Sequence, residues 1–353
     1  MTDDILFHEV AMPQGRAGVV VLNRPKALNA MSLAMFQALH AQLLRWAADD
    51  SVLLVLMEST HEKAFCAGGD VVWLFHQRAQ GIDAGCEFFH VEYQVNHLLG
   101  HYPKPVIALL DGLTFGGGVG LSFYGSHQVV TERFRFAMPE TTIGFFPDVG
   151  ATYLLSRLDH GVGYYLGLLG ETIDAATALD IGLIAHSLKH DDIAACKAAL
   201  LALPLAQVGV ADVDAVLGQF TPLLSAEAVG AAGLPLPHAP RLTTPPTSYD
   251  DYLAQLKAHL SAPQWASLQE KSSIALQVSY QAITQARDLS LRDCLQRDYQ
   301  LGITFLQSHD FYEGINARLV AKHQQPAWQL GFDERLDAAE MAVFFQFKRA
   351  LFA

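Results

Sequence analysis

Apolar residues along the first 190 or so positions follow two alternating rhythms. Short unbroken runs at 17–23 (AGVVVLN), 52–57 (VLLVLM) and 105–110 (PVIALL) predict strands covered on both faces. Between them, Leu33, Phe36, Leu39, Leu43, Leu44 and Ala47 recur at helical spacing, which predicts a helix over 32–48 with Ser32 as its N-cap. A Gly-containing turn at 66–69 leads into an amphipathic stretch ending near Gln80. The segment 119–125 reads as an apolar helix, and 129–130 and 134–137 as short strands. Strands alternating with helices make this an α/β unit, so we expect a first domain over 1–190. From 191 to 353 the pattern turns helical, for example over 291–306 (LRDCLQRDYQLGITFL). Within it, 230–248 carries five prolines and no apolar period, the mark of an exposed connector. There is no internal repeat.

Composition narrows the function classes. The chain has 353 residues and a net charge of −13, which argues against a nucleic-acid partner because phosphates need a basic face. No apolar run approaches the roughly 20 residues that span a bilayer, so no membrane partner is expected. The acidic start Met1-Thr2-Asp3-Asp4 fits neither a signal nor a transit peptide, and a cytoplasmic location follows as the expectation. Cys66, Cys86, Cys196 and Cys294 show no paired spacing and read as reduced thiols. CxxC and HExxH are absent, so no metal and no cofactor is expected.

Two kinds of segment carry candidate chemistry. Glycine-rich turns end the buried strands: Cys66-Ala67-Gly68-Gly69-Asp70, Asp111-Gly112 with Gly116-Gly117-Gly118, and Gly144 with Gly150. Glycine lets a backbone N–H approach a ligand, although each turn alone is equally a tight bend. The P-loop, GxGxxG and GxSxG patterns all fail here. The second kind is 138–150 (MPETTIGFFPDVG), where Glu140 and Asp148 interrupt an otherwise apolar stretch. An acid placed there either turns outward or is kept for a task.

Taken in order, Asn23-Arg24-Pro25-Lys26-Ala27-Leu28-Asn29-Ala30, then Ala64-Phe65-Cys66-Ala67-Gly68-Gly69-Asp70, then Asp111-Gly112 with Gly116-Gly117-Gly118-Val119-Gly120 resemble the successive signatures of the crotonase (enoyl-CoA hydratase/isomerase) superfamily. The resemblance covers roughly residues 5–190. It implies an α/β spiral of ββα units followed by a helical C-terminal region, and an acyl-CoA thioester as ligand. Gly69 and Gly117 would supply the N–H groups that hold the thioester oxygen, with Arg24 and Lys26 near the CoA phosphates. CoA then belongs to the substrate. Crotonases commonly form trimer-based assemblies, which leaves a homo-oligomer open for this chain.

The variant of the chemistry is narrowed by departures from the hydratase pattern. Hydratases of the superfamily use two glutamates; at the first position this chain has Gly120, and the second is kept as Glu140. Asp148 stands where hydratases usually carry glycine. Together with Phe88-Phe89-His90-Val91-Glu92-Tyr93 and 290–314, these features are similar to the 3-hydroxyisobutyryl-CoA hydrolase branch. That resemblance implies hydrolysis of a short-chain 3-hydroxyacyl-CoA, as in valine catabolism. Glu140 would attack directly or deprotonate a water, Asp148 would bind the 3-hydroxyl or assist proton transfer, and Glu92 would hold the acyl group or position Asp148. The alternatives are an enoyl-CoA hydratase/isomerase and a non-catalytic CoA-binding subunit. His323 stands where an acid is expected in the branch, which leaves that position without a role.

Overall fold

A computed structural model of the chain describes residues 3–158, 161–223, 246–322 and 325–352. The connector expected at 230–248 lies mostly outside the described residues, as does His323. Two compact units emerge, each assembled from separated stretches. The first comprises Met1–Gly69, Gln94–Phe136 and Ile173–Leu234; the second comprises Asp70–Tyr93, Ala137–Thr172 and Pro235–Ala353. The division therefore does not fall at residue 190, because strands and helices are sorted by their packing partners rather than by chain order.

The first unit is built on the buried apolar runs. Strands β1 (Ile5–Met12), β2 (Gly15–Leu22), β3 (Val52–Ser59), β5 (Val106–Leu110), β7 (His127–Val130) and β10 (His186–Ser187) form one sheet in the order β1-β2-β3-β5-β7-β10. Only the β1–β2 hairpin is antiparallel; the later pairings are parallel. The short strands β4 (Ala64–Cys66), β6 (Leu113–Phe115), β8 (Arg135–Ala137) and β9 (Ile173–Asp174) make a second sheet. Successive β3-β4, β5-β6 and β7-β8 pairs thus give one strand to each sheet, which is the ββ half of the expected spiral repeat.

Both faces of the large sheet are covered, as the unbroken hydrophobicity requires. Val19, Val21, Leu54, Leu56, Ile107 and Leu109 pack with Cys196, Leu200, Val213 and Val216 from the helices Ile193–Leu201 and Val210–Leu217. On the opposite face, a Cβ at Gly18 would lie 2.7 Å from the Trp46 ring, so glycine there admits the helix Leu33–Ala48. That helix starts as expected: Met35 N–H donates to the Ser32 hydroxyl at 3.3 Å. No helix among the described residues is long and apolar enough to cross a membrane.

The second unit is largely helical. The helices Val162–Leu169, Ser273–Ala286, Leu291–Phe305 and His309–Ile315 belong to it. Its core is aromatic: Phe145 stacks on Phe89 at 5.6 Å and lies 4.8 Å from Phe311, and Phe146 stacks on Phe305 at 5.5 Å.

Candidate functional site

The first unit brings its glycine turns together. Gly68 has φ +114°, a region that favours glycine, and its carbonyl accepts the Met31 N–H at 2.8 Å. A Cβ at Gly68 would sit 3.4 Å from the Gly117 nitrogen, and one at Gly118 only 2.5 Å from the Cys66 carbonyl oxygen. Glycine at 118 is what allows the Cys66–Gly69 turn to press against the start of the helix Gly117–Ser122. As first residue of that helix, Gly117 has an N–H without an intrahelical acceptor. Cys66 is buried, with Sγ 3.2 Å from the Asn29 carbonyl, and serves the turn rather than chemistry. Of the two expected phosphate binders, Lys26 is exposed. Arg24 is partly committed: its guanidinium donates to the Ala30 carbonyl at 2.8 Å and lies 3.9 Å from the Asp4 carboxylate.

The second unit gathers the acids. Pro139 precedes a 3-10 turn, Glu140–Ile143, that ends at Gly144 with φ +68°. Phe145 N–H donates back to the Glu140 carbonyl at 3.0 Å and the Thr141 hydroxyl donates to the Leu168 carbonyl at 2.9 Å, which fixes the turn from both sides. Asp148 is followed by Val149 at φ +53° and Gly150 at φ +76°. A β-branched residue in the left-handed region is costly, so the surroundings hold this bend in place. Glu92 comes from the helix Asp83–Gly100.

All three carboxylates are buried, at 2% exposure for Glu92, 8% for Glu140 and 6% for Asp148. Burial pushes Glu140 well above the usual carboxylate range, and the Asp148 charge adds to the rise. Glu92 is raised likewise by burial, then by Asp148 and Glu140. Asp148 is pushed up by burial to about 7, held back by the Tyr93 hydroxyl, which donates to its Oδ2 at 2.6 Å. The three therefore cannot all ionise together near neutrality. Such a group can keep one acid protonated beside an ionised neighbour, the condition for paired proton transfer.

Four further residues shape this cluster, and the sequence carried no distinct signal for them. Lys271 is 4% exposed and donates to the Thr142 hydroxyl at 2.6 Å; burial pushes it down to about 8 while Glu140 draws it up. Asp298, fully buried on the helix Leu291–Phe305, accepts the Gly150 N–H at 2.8 Å and so holds the bend behind Asp148. Asp310 accepts from the Ser272 hydroxyl at 2.5 Å and from Gln329 N–H at 2.8 Å, tying the helix His309–Ile315 to its neighbours. That helix fits against the Glu140 turn through two glycines: a Cβ at Gly144 would meet the Asp310 carbonyl at 2.4 Å, and one at Gly314 the Ile143 carbonyl at 2.3 Å. Tyr93, the last residue of the segment Phe88–Tyr93, is the fourth, through its hydroxyl bond to Asp148. Asp70 caps the helix Val71–Gln77, accepting from Trp73 N–H at 3.0 Å.

Comparison with known proteins bears on the family and the fold. Residues 17–345 match the family described as enoyl-CoA hydratase/isomerase. The mitochondrial 3-hydroxyisobutyryl-CoA hydrolase of Danio rerio is 35% identical over 331 residues, covering 92% of this chain and 85% of that protein. Its Homo sapiens counterpart is 32% identical over 321 residues, covering 90% and 82%. Among solved structures, a carnitinyl-CoA dehydratase from Mycobacterium thermoresistibile superposes with TM-score 0.82 at 32% identity, covering 98% of this chain and 97% of that one. An enoyl-CoA hydratase from Rhodobacter sphaeroides gives 0.81 at 30%, with 97% of each chain covered.

Proposed function

The chain belongs to the enoyl-CoA hydratase/isomerase (crotonase) family and has its fold, and from that premise we propose that it hydrolyses a short-chain 3-hydroxyacyl-CoA thioester, 3-hydroxyisobutyryl-CoA foremost. The observation that carries this reading is the buried cluster of Glu92, Glu140 and Asp148, with Gly120 where a hydratase would hold its other glutamate. The relatives named as hydrolases over about nine-tenths of the chain support it.

In this reading the Gly69 and Gly117 amides hold the thioester oxygen as negative charge gathers on it, a contribution of about 2.7–4 kcal/mol per donor. The Glu140 carboxylate, with Lys271 as its cationic neighbour, attacks the carbonyl carbon. The C–S bond breaks, the thiolate leaves as CoA and takes a proton from Asp148, and water, giving a proton back to Asp148, then cleaves the mixed anhydride to release the acid and regenerate Glu140. Deprotonation of water by Glu140 is the other route to the same products. Asp148 and Glu92 receive the 3-hydroxyl and acyl group, and Arg24 and Lys26 the CoA phosphates. The reaction needs no resident cofactor.

A hydratase reading draws on the two superposed structures, a carnitinyl-CoA dehydratase and an enoyl-CoA hydratase. The discriminating experiment gives the protein 3-hydroxyisobutyryl-CoA and crotonyl-CoA in parallel. Thiol release from the first, outpacing hydration of the second, is the expected result; the reverse order would replace the hydrolase by a hydratase. A panel of acyl-CoAs with and without the 3-hydroxyl then fixes the acyl group. Valine catabolism and a cytoplasmic location travel with this proposal, and cell fractionation tests the latter against the mitochondrial setting named for the relatives.

A further inference from the structure

The first unit carries a side-chain group that the thioester chemistry does not use. His127 on β7, His186 on β10 and Asp214 on the helix Val210–Leu217 each offer one ligand atom, and these atoms all lie within 4.8 Å of one another. His127 Nε2 lies 3.3 Å from Asp214 Oδ1, and His186 Nε2 lies 3.5 Å from the same oxygen. Ligand atoms about 2.05 Å from a tetrahedral zinc ion stand about 3.3 Å apart, so two of the three edges already have coordination length.

The hydrogen bonds behind His127 decide what its ring offers. The Ser126 hydroxyl donates to the Val106 carbonyl at 3.1 Å and accepts the Val106 N–H at 3.0 Å. Ser126 Oγ lies 2.8 Å from His127 Nδ1. In the tautomer that donates Nδ1–H to this oxygen, Nε2 carries a lone pair. The His127 side chain is 0% exposed, and Nε2 is buried with no hydrogen-bond partner. In that tautomer the lone pair faces the Asp214 oxygen, which is unfavourable unless a positive charge sits between them.

We propose that His127, His186 and Asp214 form a binding site for a zinc-class divalent cation that ties β7, β10 and the helix Val210–Leu217 together. Two neutral imidazoles and one carboxylate suit that class of ion. The Ser126 contact to the far ring nitrogen is the orienting bond that metal-bound histidines usually make. Asp214, with its side chain 48% exposed, leaves the remaining coordination to water. The site stands apart from the proposed hydrolysis, and neither result depends on the other.

The test titrates chelator-stripped protein with Co2+, followed by its visible absorption, and then displaces it with Zn2+. The partly exposed ligands supply the variants, Asp214→Ala and His186→Gln, each checked for folding by near-UV circular dichroism. We expect one equivalent bound with the absorption of a four-coordinate nitrogen- and oxygen-ligated ion, and at least about tenfold weaker binding in both variants. No band at one equivalent, equal affinity in folded variants, or a thiolate charge-transfer band assigning the ion to cysteine would each overturn the proposal.

Discussion

The two units differ most in what they bury. Among the described residues, the buried carboxylates Glu92, Glu140, Asp148, Asp298 and Asp310 and the buried Lys271 all belong to the second unit. In the first, no carboxylate or lysine is buried among the described residues; its buried polar groups include Asn29, Asn96, Thr114 and Thr131, with His127 the one titratable side chain among them. One interior is therefore built for cohesion. The other keeps charges that weaken it, because an ionised group in an apolar surrounding is expensive. Cost concentrated in one region is the signature of chemistry, and it separates the residues that hold the chain together from those that act.

Four substitutions can break or sharpen that contrast. Glu140→Gln, nearly isosteric, should lower thiol release by about 10^3-fold, equivalent to about 4 kcal/mol of barrier, while the protein stays folded. A fully active variant would remove the distinction between the two interiors. Leu54→Ala in the first unit, at 0% exposure, should do the opposite. It should cost about 3 kcal/mol of stability in denaturant titrations and leave turnover per folded molecule unchanged. Tyr93→Phe deletes the donor to Asp148 and should reduce turnover by about tenfold, a loss of about 1–1.5 kcal/mol. Its alkaline limb should move to higher pH, since Asp148 acts as the proton donor and the hydroxyl now holds its pKa down.

The remaining test is of stability against pH. Asp298 is pushed up from its ordinary 3.8 to about 7, chiefly by burial. Between those values the folded chain holds a proton that the unfolded chain has released, so stability falls as pH rises through that window. Asp298→Asn removes this loss. Its Tm relative to the parent should rise by a few degrees between pH 5 and pH 8. A difference that stays constant would mean that Asp298 does not titrate in this range.

Much of the first unit was legible in the chain. The apolar runs at 17–23, 52–57 and 105–110 became β2, β3 and β5, and Ser32 caps its helix, because local hydrophobicity there coincides with final burial. The three-residue strands β4 and β6 were not, since each sits inside a glycine turn too short to show a period. In the candidate site, Glu140 and Asp148 stood out as acids in an apolar stretch, and Glu92 entered through the resemblance of Phe88–Tyr93 to the hydrolase branch; all three are buried. Lys271 and Asp298 were silent because each is one more polar residue in a helical stretch, and burial there is decided by partners over a hundred positions away. His127, His186 and Asp214 were silent for the same reason, their spacing matching no short motif.

The crossing of Gly144 and Gly314 has a consequence for how the protein is made. A chain emerging from the ribosome releases residue 140 long before residue 314, so the surface that props the Glu140 turn arrives well after the turn itself. A nascent polypeptide that has already folded its sheet still has Glu140 unsupported. Assembly of the buried acids thus waits on the helix His309–Ile315.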